Sequence, residues 1–268
     1  MSRSEGYKKK MEVVRQQGYD VVKSNDLIQK SRFKLTMQEQ KIVLYLVSKI
    51  MPGDEDFKYY EMSVRDFCKV CELDSENGGN YKHIKQTLKN LRDKSVWVKD
   101  DSGKERLYAW IDTVTIDEND GKVLIRLSHT MKPYLLQLKE HFTRYSLYYV
   151  LAMKSQYSIK VYELLKSYEY KGICEFDLDD LRVRLNAEKY PNHHDFMRRV
   201  INTAITEING NTDIEVSYTL EKAGRRYSKI VLKVKAIKNY SHRVKIHETI
   251  DEKLKRKPGR PRKKKAED

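Results

Sequence analysis

Lys82, Lys85, Lys89 and Arg92 recur at helical spacing in a segment that also carries Ile84, Leu88 and Leu91. With Tyr81 as origin and about 100° per residue, the cations fall within about 20–100° and the aliphatics within about 280–340°. One side suits a core. The other holds no acid, with Asp93 at its edge, and offers point charges for phosphate oxygens. A second segment repeats the arrangement with different chemistry. Arg198, Arg199, Asn202, Thr206 and Asn209 share a polar arc of about 100°, opposite Phe196, Val200, Ile201, Ala204, Ile205 and Ile208. Arg and Asn are the side chains that can bond base edges bidentately in a major groove. A lysine-rich helical face is commonly just solvated surface, so the weight rests on its recurrence.

Lys222-Ala223-Gly224-Arg225-Arg226 reads as a basic hairpin turn able to grip a phosphate backbone beside a groove, although basic turns also serve solubility. Near the C-terminus, Lys257, Gly259, Arg260, Pro261 and Arg262 form the Gly-Arg-Pro core of an AT-hook inside a basic frame. The prolines hold the strip extended, Gly259 permits close approach, and Arg260 and Arg262 can lie in a narrow A·T-rich minor groove. The plain alternative is a basic tail with non-specific affinity.

Other chemistries find little support. No G-x-x-x-x-G-K-[ST] phosphate loop is present. Cys68-x-x-Cys71 has metal-ligand spacing but no second pair, and both cysteines fall on an apolar stripe, so core packing is expected and no metal or other cofactor. His193-His194-Asp195 reads as a helix start capped by Asp195. The 19 tyrosines lack the metal-binding histidine pair that a DNA-nicking nucleophile would need. The expectation is a protein without enzymatic activity.

The elements that position these residues follow from periodicity. Residues 24–52 read as one helix, with Thr36–Glu39 at capping-box spacing, Ile42, Leu46 and Ile50 behind it, and Pro52-Gly53 ending it. A short helix follows Ser63, with Val64, Phe67, Cys68 and Cys71 as its stripe, then a helix over about 81–94. The period then falls towards two in VWV, RLYAWIDTVTI and KVLIRLS, separated by DDSGK and DENDG turns. The second half repeats this order: a helix from Ser155 or Ser158 to Tyr170, a helix over about 195–208, and strands DIEVSYTL and SKIVLKVKA about a turn at Gly224. Glu175–Leu181 echoes Glu61–Phe67 as E-[FM]-[SD]-[LV]-x-D-[LF]. The fold expected is α+β, a tandem duplicated winged helix with a disordered basic C-terminal tail.

Composition agrees with a polyanion binder. The 268 residues carry 54 Lys and Arg against 39 Asp and Glu, a net charge of +15. Residues 238–268 hold 12 basic and 5 acidic residues, and Lys253–Lys265 holds nine basic residues and no acid. Three cysteines suggest a reducing compartment. The longest apolar run, Leu147–Met153, is seven residues, far short of the ~20 that span a membrane. The N-terminus lacks a signal-peptide core, so a cytoplasmic location and no membrane partner are expected. The expected division is an N-terminal arm over 1–23, winged helices over 24–138 and 139–237, and the tail over 238–268.

Three ordered blocks carry a family resemblance over about residues 20–237: YDVVKSNDLI…KLTMQEQKIVLYLVSKI, KSQYSIKVYELLKSYEYKG, and DFMRRVINTAITEINGNTDIEVSYTLEKAGRRYSKIVLKVK. The chain resembles the iteron-binding replication initiators of theta-replicating plasmids, although that family often has arginine in place of Lys160, and the tail lies outside the shared region. The resemblance implies a sequence-specific origin-binding protein built from two winged helices. Arg198, Arg199, Asn202 and Thr206 would then read bases, Lys222, Arg225 and Arg226 would form the wing contacts, and Lys82, Lys85, Lys89 and Arg92 would meet phosphates. The first domain would bind the other half of the site or form a dimer interface. Implied partners are double-stranded DNA at origin repeats, a second copy in a monomer–dimer equilibrium, the host initiator and the replicative helicase. The tail residues suggest in addition an A·T-rich flank. Alternatives are a chromosomal winged-helix transcription regulator and a metal-dependent rolling-circle nickase.

Overall fold

The computed structural model describes residues 20–71, 80–238, 244–246 and 248–250. β1 (Asp20–Ser24) runs into α1 (Asn25–Gln29), where Ser24 Oγ accepts from the Leu27 N–H at 3.2 Å. β2 (Ser31–Phe33) and α2 (Met37–Val47) follow. The single helix expected over 24–52 is therefore corrected. Residues 31–33 pair with a later strand and leave helical geometry, and the long helix begins at the capping box. There Thr36 Oγ1 accepts from the Glu39 N–H at 3.3 Å and Glu39 Oε2 accepts from the Thr36 N–H at 2.7 Å.

β3 (Tyr60–Ser63) leads into α3 (Val64–Cys71), which starts with Ser63 Oγ accepting from the Asp66 N–H and buries Phe67, Cys68 and Cys71 as expected. α4 (Asn80–Arg92) is the third helix, with Ile84, Leu88 and Leu91 in the core. Four strands come next: β4 (Ser95–Lys99), β5 (Glu105–Ala109), β6 (Ile111–Asp117) and β7 (Lys122–Leu127). The run 106–116 breaks at Trp110, which is buried and meets Phe33 edge-on at 5.2 Å. β5 joins the sheet β2–β4–β5, whereas β6 joins β3–β7–β6. Burying so large a ring at the junction turns the chain from one sheet to the other.

A 3₁₀ turn (His129–Met131) and α5 (Lys132–Leu135) precede β8 (Phe142–Ser146), which pairs antiparallel with β1. α6 (Leu147–Leu151) and α7 (Gln156–Ser167) follow, then β9 (Ile173–Asp177) and α8 (Leu178–Arg184). The next helical stretch is α9 (His193–Phe196), a π-helical turn (Met197–Asn202) and α10 (Thr203–Asn211), after which β10 (Ile214–Ala223) and β11 (Arg226–Ala236) form a hairpin. The sheet order β9–β11–β10 matches β3–β7–β6. The duplication seen in the sequence is thus a duplication of topology, and the β2–β4–β5 sheet is an addition to the first copy.

α7 joins the copies. Tyr157, Ile159, Val161, Tyr162, Leu164 and Leu165 are all buried, so little of the helix faces water, and it packs on α1, α2 and β8 as well as on α10 and the π-helical turn. Tyr162 and Lys166 both bond Asp213, at 2.8 and 2.7 Å, which fastens α7 to the start of β10. On the other side Lys23 Nζ lies 2.7 Å from Glu163 Oε1 in a buried ion pair, and the Tyr145 hydroxyl donates to the same oxygen. Burial and the Glu163 carboxylate hold that phenol well above its ordinary range.

Two expected boundaries move. The arm expected over 1–23 already contains β1 from Asp20, because Lys23 must reach Glu163. The tail expected from 238 is also shortened: residues 244–246 and 248–250 are helical, Ile246 and Ile250 are buried in the core, and Thr249 Oγ1 donates to the Lys245 carbonyl at 2.9 Å.

Removing one partner of the Lys23–Glu163 pair leaves a buried charge unmatched. Lys23→Met should lower unfolding free energy by ~3–5 kcal/mol. Combining it with Glu163→Met and Tyr145→Phe should recover most of that loss, as read from urea midpoints at unchanged slope.

Candidate nucleic-acid interface

The third helical stretch of the second copy begins at Asn192, not at Asp195. Asn192 Oδ1 accepts from the His194 N–H at 2.8 Å and the Asp195 N–H at 3.4 Å. This corrects the expected cap and releases the Asp195 carboxylate. It lies 3.0 Å from Arg198 Nη2 and 3.6 Å from Arg199 Nε, and the Arg198 bond holds its carboxyl below the usual range. The π-helical turn follows at once, with Thr203 Oγ1 donating to the Arg198 carbonyl five residues back at 3.1 Å. Phe196, Met197, Val200, Ile201, Ala204 and Ile208 still enter the core, while Arg198, Arg199, Asn202 and Thr206 are exposed together.

Asn209, which shares their arc in sequence, has a structural task. Its amide donates to the Val216 carbonyl at 2.9 Å and accepts from the Val216 N–H at 2.7 Å, clamping α10 to β10.

The β10–β11 hairpin lies against this helix. Gly224 turns the chain at φ +64°, a conformation that a side chain resists, and Lys222, Arg225 and Arg226 are exposed around it. Tyr218 donates to Asn202 Oδ1 at 2.9 Å. Tyr227 stacks on His193 with ring centroids 5.3 Å apart, and Lys222 Nζ sits 4.9 Å from the Tyr227 centroid. Burial, then Arg182 and His194, lower the His193 pKa, which favours the neutral imidazole in that stack. Helix and hairpin therefore form one mainly cationic surface, in which Asp195 already pairs with Arg198 and Arg199. Tyr218, Tyr227 and His193 escaped the sequence reading; the only available signal was the placing of both tyrosines on the strands flanking a basic turn.

The first copy places Lys82, Lys85, Lys89 and Arg92 on the exposed face of α4, but its electrostatics differ. Lys85 pairs with Glu118 in the β6–β7 turn, and Tyr81 donates to the Glu118 carbonyl at 3.1 Å. Arg92 Nε donates to the Asp112 carbonyl at 3.0 Å. Among the described residues Lys82 and Lys89 have no ion-pair partner. The turn itself carries Asp117, Glu118 and Asp120, where the second copy has Lys222, Arg225 and Arg226. Cys68 and Cys71 pack in the core, and among the described residues no group of three or more His, Cys, Asp or Glu is placed to hold a metal. The AT-hook residues Lys257, Gly259, Arg260, Pro261 and Arg262 lie outside the described residues.

A family model described as "Initiator Replication protein, WH1" matches residues 20–166, and one described as "Initiator Rep protein, WH2" matches residues 177–234. The chain belongs to the initiator replication protein family. The fold class and the family expected from sequence are both borne out. Curated relatives include a replication initiation protein of Escherichia coli, 25% identical over 227 residues that cover 80% of this chain and 69% of the relative. Another is the PI protein of Escherichia coli, 32% identical over 139 residues that cover 45% of this chain and 46% of the relative. The two matched domains are the two winged helices of the fold, and DNA binding in replication initiation goes with the family. The WH1 match runs on through most of α7, so the division expected after residue 138 cuts through structure that the first domain shares. Among the described residues no helix is long and apolar enough to cross a membrane.

Asn209→Ala strands both Val216 backbone groups. It should cost ~1–3 kcal/mol of stability, measured by thermal or urea unfolding, while the ranking of DNA sequences in a gel-shift series stays unchanged.

Proposed function

We propose that this initiator is a non-enzymatic, cytoplasmic protein that binds directly repeated duplex sites, iterons, at a plasmid origin. The second winged helix reads bases through Arg198, Arg199, Asn202 and Thr206, and its hairpin holds the backbone through Lys222, Arg225 and Arg226. The first copy adds phosphate contacts from α4, carried chiefly by Lys82, Lys89 and Arg92, since Lys85 is already paired with Glu118 whereas the carbonyl bond of Arg92 leaves its charge unmatched. The tail, through Arg260 and Arg262, engages the A·T-rich stretch that opens beside the repeats, at an effective concentration set by the tether. Monomers open the origin and recruit the host initiator and replicative helicase; dimers repress the initiator's own gene.

One observation carries this reading: Arg198, Arg199 and Asn202 stand exposed on a helix whose reverse side is core, beside a basic hairpin that touches the same helix through Tyr218 and Tyr227. Footprinting on DNA flanking the gene tests it. Directly repeated protected blocks are expected, and protection without repetition would favour an ordinary regulator. Supercoiled origin DNA incubated with Mg²⁺ should remain unnicked.

Arg198→Ala or Asn202→Ala should weaken binding to the specific site by ~1–3 kcal/mol and relax its preference at one or two positions. Equal losses on specific and random duplex would refute base reading. Lys89→Ala should weaken all duplexes alike and reduce the slope of log K against log salt by about one unit. Lys85→Ala should change that slope less, because Glu118 already neutralises Lys85 in the unbound protein.

A further inference from the structure

A cleft of about 610 Å³ opens where β2, the residues after α4, the start of α2, the start of α7 and the loop after α8 converge. Five cations line it, Arg32, Lys34, Lys94, Lys160 and Lys189, against the single carboxylate of Glu188. Two of the five are neutralised: Arg32 pairs with Glu188, and Lys94 lies 2.7 Å from Glu39. Among the described residues, Lys34, Lys160 and Lys189 have no carboxylate at ion-pair distance.

Lys160 is the unusual member. It projects from α7 into a largely buried position, where its ammonium donates to the Phe33 carbonyl at 2.6 Å and more weakly to the Leu185 carbonyl at 3.5 Å, 4.2 Å from the Phe33 ring centroid. A lysine has three donors, and two carbonyl dipoles do not neutralise a buried charge. Lys189 lies over the rings of Tyr157 and Tyr190, and Lys34 is exposed at the rim.

Two helix starts border the cleft. Thr36, the cap of α2, and Gln156, the first residue of α7, both line the cleft. Gln40 Nε2 ties the two starts together by donating to the Gln156 carbonyl at 3.3 Å. Helix N-termini carry partial positive charge, but both starts already hold a carboxylate, Glu39 on the Thr36 N–H and Glu207 on the Lys154 and Ser155 N–H groups, so the lysines carry the site. The volume lies within the usual range for small-molecule clefts. The walls come from both winged helices, so whatever binds here also bears on how they are held together.

We propose that this interdomain cleft binds a phosphate-bearing anion, with Lys34, Lys160 and Lys189 as its cationic ligands. The phosphate could come from a free phosphorylated molecule or from the backbone of a nucleic acid; the recognising chemistry is the same. This proposal does not depend on which residues read the iterons.

Calorimetric titration of the full chain with sodium pyrophosphate, at ionic strength matched by sodium chloride, tests it. Saturable binding is expected. The exposed pair Lys34→Ala/Lys189→Ala, which should fold normally, is expected to weaken it by roughly tenfold or more. A titration that does not saturate, or one that the double variant leaves unchanged, overturns the proposal. Repeating it with excess random-sequence duplex separates the sources: competition assigns the site to a nucleic-acid phosphate, and an unchanged affinity assigns it to a free ligand.

The role of Lys160 has its own readout. Burial lowers its pKa to about 7, and Glu163 on its own helix and Glu188 on the loop oppose that shift while Lys23 on β1 and Arg32 on β2 add to it. Its amine is therefore mostly protonated below about pH 7 and mostly neutral above. The affinity ratio of the native chain to Lys160→Met should grow as pH falls from about 8 to about 6, the titration of pyrophosphate itself cancelling in the ratio. A ratio that stays flat removes Lys160 from the site.

Discussion

The buried contact among Lys23, Glu163 and Tyr145 constrains more of this molecule than any other. A lysine and a glutamate withdrawn from water must find each other, and the Tyr145 hydroxyl donates to the same carboxylate oxygen. That requirement draws β1 against β8 and sets both against α7. Because α7 is largely buried, both winged helices are built onto one shared element. The ion pair need not be the largest stabilising contribution, since apolar burial supplies most of that. It acts by selecting one arrangement, because other packings of α7 would leave a charge stranded.

Onto this frame the protein places two copies of one topology whose hairpin tips are opposite in charge. The hairpin of the second copy is tipped with lysine and arginine and touches its helix through a tyrosine–asparagine bond and a stacked imidazole. In the first copy the hairpin is tipped with aspartate and glutamate, and one of those acids takes up a lysine of the neighbouring helix. The backbone plan is shared, and the partner each copy can accept is decided by a handful of exposed side chains. This difference underlies the proposed assignment of base reading to the second copy and backbone attachment to the first.

Much of this plan is legible in the order of residues alone. The capping box at Thr36–Glu39, the stripe Phe67–Cys68–Cys71 and the alternation in 214–220 all form as their spacing predicts, because each is satisfied within a few neighbouring residues. The exposed arcs of α4 and of the stretch 193–211 are legible for the same reason: helical period sorts apolar from polar residues wherever one side is core. Local patterns mislead where a partner far along the chain intervenes. Residues 31–33 leave the expected helix for a sheet with β4, the run 106–116 divides at Trp110, and Asn209 turns from its arc to serve Val216.

The order of residues is enough to establish a duplicated winged helix with a cationic face on each third helix, since periodicity, caps and turn residues act locally and hold in any context. Which cations keep an unmatched charge follows from the folded arrangement alone: Lys85 is neutralised by Glu118, while Lys34, Lys160 and Lys189 gather in a cleft from three separate segments. Electrostatic interaction depends on distance through space, and spacing along the chain records that distance only within a helix or a hairpin.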